Sequence, residues 1–489
     1  MKIRLYISIV IMAIATIACD DVLDLNPISE IGEESFYKTS EEINKAVIGC
    51  YNGLQEPILY EWALTELRSD NGQMFIESSS AVYTEYRELD SHTQSTLNPV
   101  VNSYWQGCYH DIALANQVLA KVHVVEDLDM RAQYESECRF IRAYHYFNLV
   151  RLFGPVVLVE ESISGDDAKA LERSSVESIY KFIEMELDMA VSGLPDSYAP
   201  GEAGRVTNWA AKALLAKVYL TRAKYSEASG LLSDIISSSP YLLLPEYADV
   251  FSTGNEMNDE ILFAVRFMSG NVGLGSPFAN WFAPLTSGSN VVNGDGRGWN
   301  YPTASIMDSF EEGDSRKDVC LKESYLNKDK DVQVDRAYVN KYMYDVVDLY
   351  DAENDWPVIR YADVLLMYSE ALNETQGVAE ALPFLNQIRE RAGLDPYDGS
   401  SITNKHQFRM AIEKERRLEF AFENHRYFDL LRTGRAVAVM NEHFQTESYY
   451  NDPGNPEFHV APVEEWQTVL PIPQREIDVN SALTQNVGY

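Results

Sequence analysis

Two segments of this 489-residue chain repeat one spacing of small and large residues, and this repeat restricts the fold more than any other feature. Each segment is typical of two helices whose small residues allow close approach, while the larger residues fill the space between them. The two sets are Ala216, Tyr219, Ala228, Leu232 and Ile235, and Ser369, Leu372, Ala381, Leu385 and Ile388. The repeat predicts a mainly all-α fold in which tetratricopeptide-like helix pairs form a superhelical scaffold.

Apolar periodicity and end signals predict further elements. One helix is predicted to begin with Ser40 as its N-cap, and a second to begin near Ala113. A third ends at Gly154-Pro155, because a glycine followed by a proline stops a helix just past its last periodic residue. The apolar run at positions 261–265 is strand-like.

The first residues predict export. Lys2 and Arg4 precede an apolar run from Ile7 to Ala18, and Cys19 follows directly. This run is shorter than the roughly 20 residues that span a bilayer, so residues 1–18 are predicted to be a signal peptide. Small residues before a cysteine are typical of the point at which a bacterial lipoprotein is cut and acylated, which predicts lipidation of Cys19. Ordinary cleavage that leaves a free Cys19 is the alternative.

The charge balance and the cysteines limit the possible partners. The chain has 75 acidic and 40 basic residues and a formal net charge of −35, which excludes nucleic acid and anionic membrane surfaces as partners. The other cysteines are widely spaced, which argues against a zinc site or a disulfide framework. They are Cys50, Cys108, Cys138 and Cys320.

Two irregular regions, about 64–104 and about 268–345, interrupt the helical pattern. The second is rich in glycine and proline near its start, yet it also contains aromatic residues, in which disordered segments are poor. Long irregular segments inside a compact helical protein are usually functional or disordered, so we interpret this one as an ordered binding loop. The aromatic residues are Phe278, Trp281, Phe282, Trp299 and Tyr301.

A set of short motifs runs along essentially the whole chain. The most specific are Trp356 to Leu366, Glu415 to Phe420, Arg426 to Leu430 and Leu470 to Pro473. Others are Phe36 to Thr39, Arg139 to Tyr144, Arg173 to Val176, Gly204 to Thr207 and the terminal Leu483 to Tyr489, where Val487 replaces a common proline. In these motifs the sequence resembles the SusD/RagB family of outer-membrane nutrient-binding lipoproteins.

The resemblance implies a domain organisation, a location and partners that the residues alone do not indicate. It implies an acidic tether over residues 19–34 and a single SusD-like domain over residues 35–489. It also implies a lipid anchor in the outer membrane, exposure on the cell surface, and capture of an oligosaccharide for a SusC-like TonB-dependent transporter. Asp20-Asp21 is similar to the surface-export signal of such lipoproteins.

Sugar recognition needs aromatic rings for the C–H faces and paired polar groups for the hydroxyl rims. The irregular regions combine both types, and the candidate ligand-binding residues are Arg68, Asp70, Asn71, Tyr83, Trp281, Trp299, Asn300 and Tyr301. Each has a structural alternative, since a tryptophan can pin its own loop and Asp70 can cap a helix. Trp62 and Trp105 are predicted to be core residues, and Arg360 and Asp363 to form structural ion pairs.

Other functions are weighed against glycan binding. A glycoside hydrolase needs two carboxylates at defined separations, and so acidic a chain always offers some pair. The sequence contains no G-x-S-x-G, P-loop or dinucleotide-binding motif. A peptide or glycopeptide ligand remains the alternative. We expect no catalytic residue, no bound metal and no cofactor. The turn from Asn293 to Gly296 could hold a structural calcium ion, but is more typical of a plain turn.

Overall fold

The computed structural model describes residues 36–74, 83–294, 296–327, 330–344, 346–447, 450 and 460–489. The predicted signal peptide, Cys19 and the acidic tether at 19–34 lie outside these residues. Among the helices that are described, none is both long enough and apolar enough to cross a membrane.

The structure is mainly helical, as the repeat predicts. The helices are α1 (Ser40–Gly53), α2 (Gln55–Thr65), α3 (Thr84–Asp90), α4 (Pro99–Lys121), α5 (Leu128–Phe153), α6 (Gly165–Ala168), α7 (Val176–Gly193), α8 (Asn208–Thr221), α9 (Tyr225–Ser238), α10 (Phe278–Phe282), α11 (Ala304–Ser309), α12 (Lys317–Cys320), α13 (Tyr361–Thr375), α14 (Val378–Arg391), α15 (Lys405–Glu419), α16 (Arg426–Arg432), α17 (Ala436–Thr446) and α18 (Gln474–Val479). Short 3₁₀ turns lie at Val122–Val124, Pro200–Glu202, Tyr247–Phe251, Thr253–Asn255 and Glu465–Thr468.

The strands are short and form two-stranded antiparallel pairs. They are β1 (Gly72–Gln73), β2 (Val156–Val157), β3 (Arg173–Ser174), β4 (Ile261–Val265), β5 (Tyr301–Pro302), β6 (Leu321–Lys322), β7 (Tyr325–Asn327), β8 (Val332–Val334), β9 (Tyr338–Val339) and β10 (Trp356–Arg360). The pairs are β1–β5, β2–β3, β4–β10, β6–β9 and β7–β8. The strand predicted at 261–265 is therefore confirmed, and its partner lies almost a hundred residues later.

The scaffold is a series of packed helix pairs. Helix α5 packs on α7, α7 on α8, α8 on α9, α9 on α13, and α13 on α14. The close approach that the small residues predict is visible between α13 and α14, where the Ser369 hydroxyl donates to the Ala381 carbonyl oxygen at 2.8 Å. Ala216, Ala228 and Ile235 are fully buried. The tetratricopeptide-like pattern is confirmed at both segments.

One predicted helix end is confirmed, and two predicted helix starts are wrong. Helix α5 ends at Phe153, and Gly154 follows with a φ of +70° that suits glycine, so the predicted stop is confirmed. Thr39, not Ser40, caps α1, because its hydroxyl accepts from the Glu42 N–H. The helix predicted to begin near Ala113 begins well before it, at Pro99, with Asn98 as its cap.

A buried ion network fixes β10 against the helices. The Arg360 guanidinium lies 2.6 Å from a Glu260 carboxylate oxygen, 3.0 Å from Glu419 and 2.7 Å from Glu423. Asp363 joins a second group, with Lys217 at 2.7 Å and Arg416 at 2.8 Å. Arg360 and Asp363 thus form structural ion pairs, as the sequence predicts.

The core also has a large apolar part, which includes the tryptophans that the sequence places there. Trp62 is fully buried, and Trp105 is 3% exposed. All four described cysteines are buried free thiols. Burial raises the pKa of the Cys108 and Cys320 thiols, so they behave as small apolar core residues rather than as nucleophiles.

Candidate functional site

The two irregular regions meet in space. Strand β1 pairs with β5, so that Gly72 lies opposite Pro302 and Gln73 opposite Tyr301. The Thr303 N–H donates to the Asn71 carbonyl oxygen at 3.0 Å and extends this pairing. The glycine-rich loop is therefore anchored on the segment that follows α2, as a joint binding site requires.

An aromatic platform lies where these regions meet, and we define it as Trp281 and Trp299. Their ring centroids are 5.0 Å apart, with 43° between the planes, and both side chains are half-buried. Tyr86 of α3 lies 5.0 Å from Trp299, and the buried Trp62 is nearly parallel to it at 6.4 Å. Tyr83 lies one helical turn before Tyr86 and is also half-buried. The platform thus has an apolar underside and a partly exposed outer side.

The platform rests on the rigid aromatic core beneath it. Trp281 meets Phe278 edge to face at 5.7 Å, and Phe278 lies 4.5 Å from Trp356. Trp356 stacks on Tyr342 at 4.6 Å with 9° between the planes. Since Trp356 begins β10, the buried ion network at the other end of that strand also supports the platform.

Backbone hydrogen bonds fix the two tryptophans relative to each other. The N–H groups of Arg297, Gly298 and Trp299 donate at 2.8–2.9 Å to the carbonyl oxygens of Asn280, Ala283 and Trp281, respectively. The end of the short helix α10, which would otherwise leave its carbonyls unpaired, is thereby satisfied. Gly298 makes this close approach possible.

Gly298 has a φ of +63°, which few residues with a side chain adopt. A Cβ atom at this position would lie 2.3 Å from the hydroxyl oxygen of the buried Tyr301. The loop therefore needs glycine here, both for its backbone conformation and for the space beside Tyr301. Gly298 thus allows Trp299 to pack against Trp281.

Asp70, predicted to contact sugar, is 4% exposed and held by two arginines. Its carboxylate accepts from Arg426 at 2.7 and 2.9 Å and lies 3.1 Å from Arg417. Burial alone would raise the pKa of Asp70, but the charges of Arg417 and Arg426 outweigh it and hold the pKa well below the usual range. Asp70 is thus a charged structural group, and its burial corrects the prediction of a ligand contact.

Arg68 and Asn71 need the same correction. Arg68 is fully buried and donates to the carbonyl oxygens of Gln467 and Thr468 at 2.7 and 3.2 Å. The Asn71 side-chain oxygen accepts from Arg417 at 2.8 Å. The side chains of Arg68 and Asn71 thus bond to groups inside the protein and fix the segment that follows α2.

Asn300 and Tyr301 are also inside the protein. Asn300 is fully buried beside Gly72. A Cβ atom added to Gly72 would lie 2.4 Å from the Asn300 side-chain oxygen. The Tyr301 hydroxyl accepts from the Leu285 N–H at 3.1 Å, and the residue is 3% exposed. Of the eight predicted residues, Tyr83, Trp281 and Trp299 remain candidates for ligand contact.

Two residues that organise the site were not predicted. Asn280 is fully buried, and its amide donates to the Asn293 carbonyl oxygen and accepts from the Tyr350 N–H, both at 2.9 Å. Tyr350 in turn contacts Arg297 through its hydroxyl. In the sequence, Tyr350 is an aromatic residue within the acidic stretch 348–355. Nothing in that stretch indicates a contact with Arg297.

A separate groove of about 500 Å³ lies between α4 and α18. Its lining includes Trp105, Tyr109, Val157 and Leu483. Trp105 is almost wholly buried there, so the groove offers less ring surface than the platform does. We therefore take the platform as the candidate site.

Comparison with known proteins assigns the family. The model of the SusD family matches residues 294–489, and the model described as "Starch-binding associating with outer membrane" matches residues 21–220. This chain belongs to the SusD family. The segment that carries Trp281 lies between the two matches, so neither family model covers that part of the platform.

Relatives of this SusD-family protein align along most or all of its length. "SusD-like protein P25" of Formosa agariphila is 28% identical, with 100% of both chains covered. "Starch-binding protein SusD" of Bacteroides thetaiotaomicron is 24% identical, over 78% of this chain and 77% of the relative. The solved structure of a "Laminarin binding SusD-like protein" is 25% identical, with a TM-score of 0.79 over 93% of this chain and 100% of that one.

Proposed function

We propose that this SusD-family protein binds an oligosaccharide or a polysaccharide fragment on the aromatic platform. The observation that carries the proposal is the pair Trp281 and Trp299, half-buried, 5.0 Å apart and fixed by backbone hydrogen bonds. Rings held in this way offer apolar area at little entropic cost, which suits the C–H faces of pyranose rings. A surface of this kind also suits a long chain better than an enclosed cavity does.

The relatives support a glycan as ligand and the outer membrane as location. One relative is named for binding starch, one solved structure for binding laminarin, and one family model for association with the outer membrane. We extend this to lipidation of Cys19, exposure on the cell surface and delivery of the ligand to a SusC-like TonB-dependent transporter. The acidic tether at 19–34 would then keep the protein beside its transporter.

The surroundings of the platform support binding rather than catalysis. Glycoside hydrolysis needs two available carboxyl groups about 5 to 9.5 Å apart. Asp70 is neutralised by Arg417 and Arg426, and the Asp351 carboxylate accepts from the N–H groups of Gly270 and Asn271 at 2.7 and 2.9 Å. These acids are committed to structure, and binding on the platform requires no cofactor.

Affinity electrophoresis against starch, laminarin, xylan and pectin tests the proposal, together with an assay for released reducing sugar. We expect retardation by at least one glycan and no release of reducing ends. Release of reducing sugar would show a hydrolase. Failure of every glycan to retard the protein, with binding of a peptide mixture, would favour the peptide alternative and contradict the proposal.

A further inference from the structure

Arg297 lies beside the platform and carries an exposed positive charge. It stands two residues before Trp299, and its backbone N–H donates to the Asn280 carbonyl oxygen at 2.8 Å. Because Asn280 directly precedes Trp281, the backbone of Arg297 is tied to the same short helix as the platform. The backbone of Arg297 is therefore fixed relative to the two rings.

The side chain of Arg297 is oriented by one neutral partner. Its Nε donates to the Tyr350 hydroxyl at 2.6 Å, Nη2 contacts the same oxygen, and the guanidinium carbon is 5.4 Å from the ring centroid. Within the described part of the chain, Nη1 has no hydrogen-bond partner and the guanidinium has no carboxylate at ion-pair distance. The edge formed by Nη1 and Nη2, which fits a two-oxygen acceptor, is left available.

Tyr350 is held for this contact at a conformational cost. Its φ of +62° is unusual for a bulky residue and strains the backbone. The Tyr350 N–H donates to the Asn280 side-chain oxygen at 2.9 Å, which keeps the backbone in place. Arg297 and Tyr350 thus share one buried anchor, and the orientation of the guanidinium is built into the fold.

The acids of the same turn are committed elsewhere. Asp348 accepts from the Asn271 side-chain amide at 2.6 Å, and Asp351 accepts from two backbone N–H groups of the same loop. Among the described residues, no carboxylate lies at ion-pair distance from Arg297, so its guanidinium can accept an acidic group of a ligand even though the chain has 75 acids and 40 bases. Distant acids oppose an anionic ligand only weakly, because salt screens charges beyond about 8–10 Å.

We propose that Arg297 is a specificity residue that binds an acidic group, a uronic acid carboxylate or a sulfate ester, on the glycan that lies on the platform. The inference rests on the proposed function and adds the ligand class to it. Both acidic groups present two oxygens to the free guanidinium edge, and they share the same charge-assisted bidentate geometry. Tyr350 acts as a positioning residue.

Calorimetric titration with three glycans tests this assignment: alginate for carboxylate, carrageenan for sulfate and laminarin as the neutral reference. We expect Arg297→Gln to weaken binding of one acidic glycan about tenfold or more, since it removes a charge-assisted bidentate contact. Binding of that glycan should also become less sensitive to salt. Arg297→Lys should restore it only in part, and Tyr350→Phe should weaken it less than Arg297→Gln.

Arg475→Gln is the matched control, because Arg475 is also exposed and has no described carboxylate partner, but lies on α18. It should leave all three titrations unchanged. Binding of laminarin alone, or acidic binding that Arg297→Gln leaves intact, overturns the inference while the proposed function stands. Failure of the wild-type protein to bind any glycan overturns both.

Discussion

Replacing Trp281 and Trp299 together by alanine is expected to weaken glycan binding about a hundredfold or more, and each single replacement about tenfold. Aromatic residues at the centre of an interface commonly contribute 2 kcal/mol or more, and each 1.4 kcal/mol is a factor of ten in affinity. Trp299→Phe keeps a ring against Tyr86 and Trp62 and should retain most of the affinity. Calorimetric titration of each purified variant with the best glycan of the panel measures the effect.

Trp466→Ala is the matched control for these variants. Trp466 is half-buried like the platform residues, but it packs 5.0 Å from the Tyr489 ring at the chain end. Its loss should lower the thermal midpoint without changing affinity. Trp299→Ala will itself lower stability, because Trp299 contacts three other rings. The binding account is contradicted if Trp281→Ala, folded by circular dichroism, binds as the wild-type protein does.

Arg360→Ala is expected to lower the free energy of unfolding by about 3–5 kcal/mol. The guanidinium is 1% exposed and bonds with Glu260, Glu419 and Glu423, so its removal leaves buried carboxylates without their charge partner. Arg360→Lys keeps the charge but loses the two-pronged contact with Glu423, so it should cost less. Urea unfolding monitored by circular dichroism gives the difference.

An exposed ion pair provides the comparison for Arg360. Arg409 contacts Glu374 at 2.6 Å, and its side chain is 53% exposed. Arg409→Ala should cost less than about 1 kcal/mol, because water and salt weaken surface pairs. Equal losses for the two alanine variants would mean that burial gives the Arg360 network no extra stabilising effect on β10.

The helical scaffold could be predicted because its determinants are local. The small and large residues of α8 and α9 lie within thirty residues of one another, and the stop at Gly154-Pro155 needs only two. The start of α4 was missed because Asn98 and Pro99 follow a polar, aperiodic stretch that contains little helical signal. Local patterns thus identified the helices better than their boundaries.

The site was predicted only in part, because the fate of a polar residue depends on distant partners. Asp70 pairs with Arg426, which is 356 positions away, and nothing near Asp70 indicates that pairing. Trp281 and Trp299 can be proposed as ligand contacts from the sequence, because an aromatic ring suits a sugar face wherever the loop reaches the surface. The contact between Arg297 and Tyr350 joins two loops through Asn280 and needs the structure to be seen.

The central claim is that a glycan lies on Trp281 and Trp299, and a crystal structure with a bound oligosaccharide tests it most directly. The oligosaccharide is taken from the glycan that binds most tightly in the panel. The account predicts a pyranose ring with its C–H face against Trp281 or Trp299, at a carbon–carbon distance of about 4 Å. A sugar seated in the groove lined by Trp105 and Tyr109, with both platform rings uncovered, would contradict it.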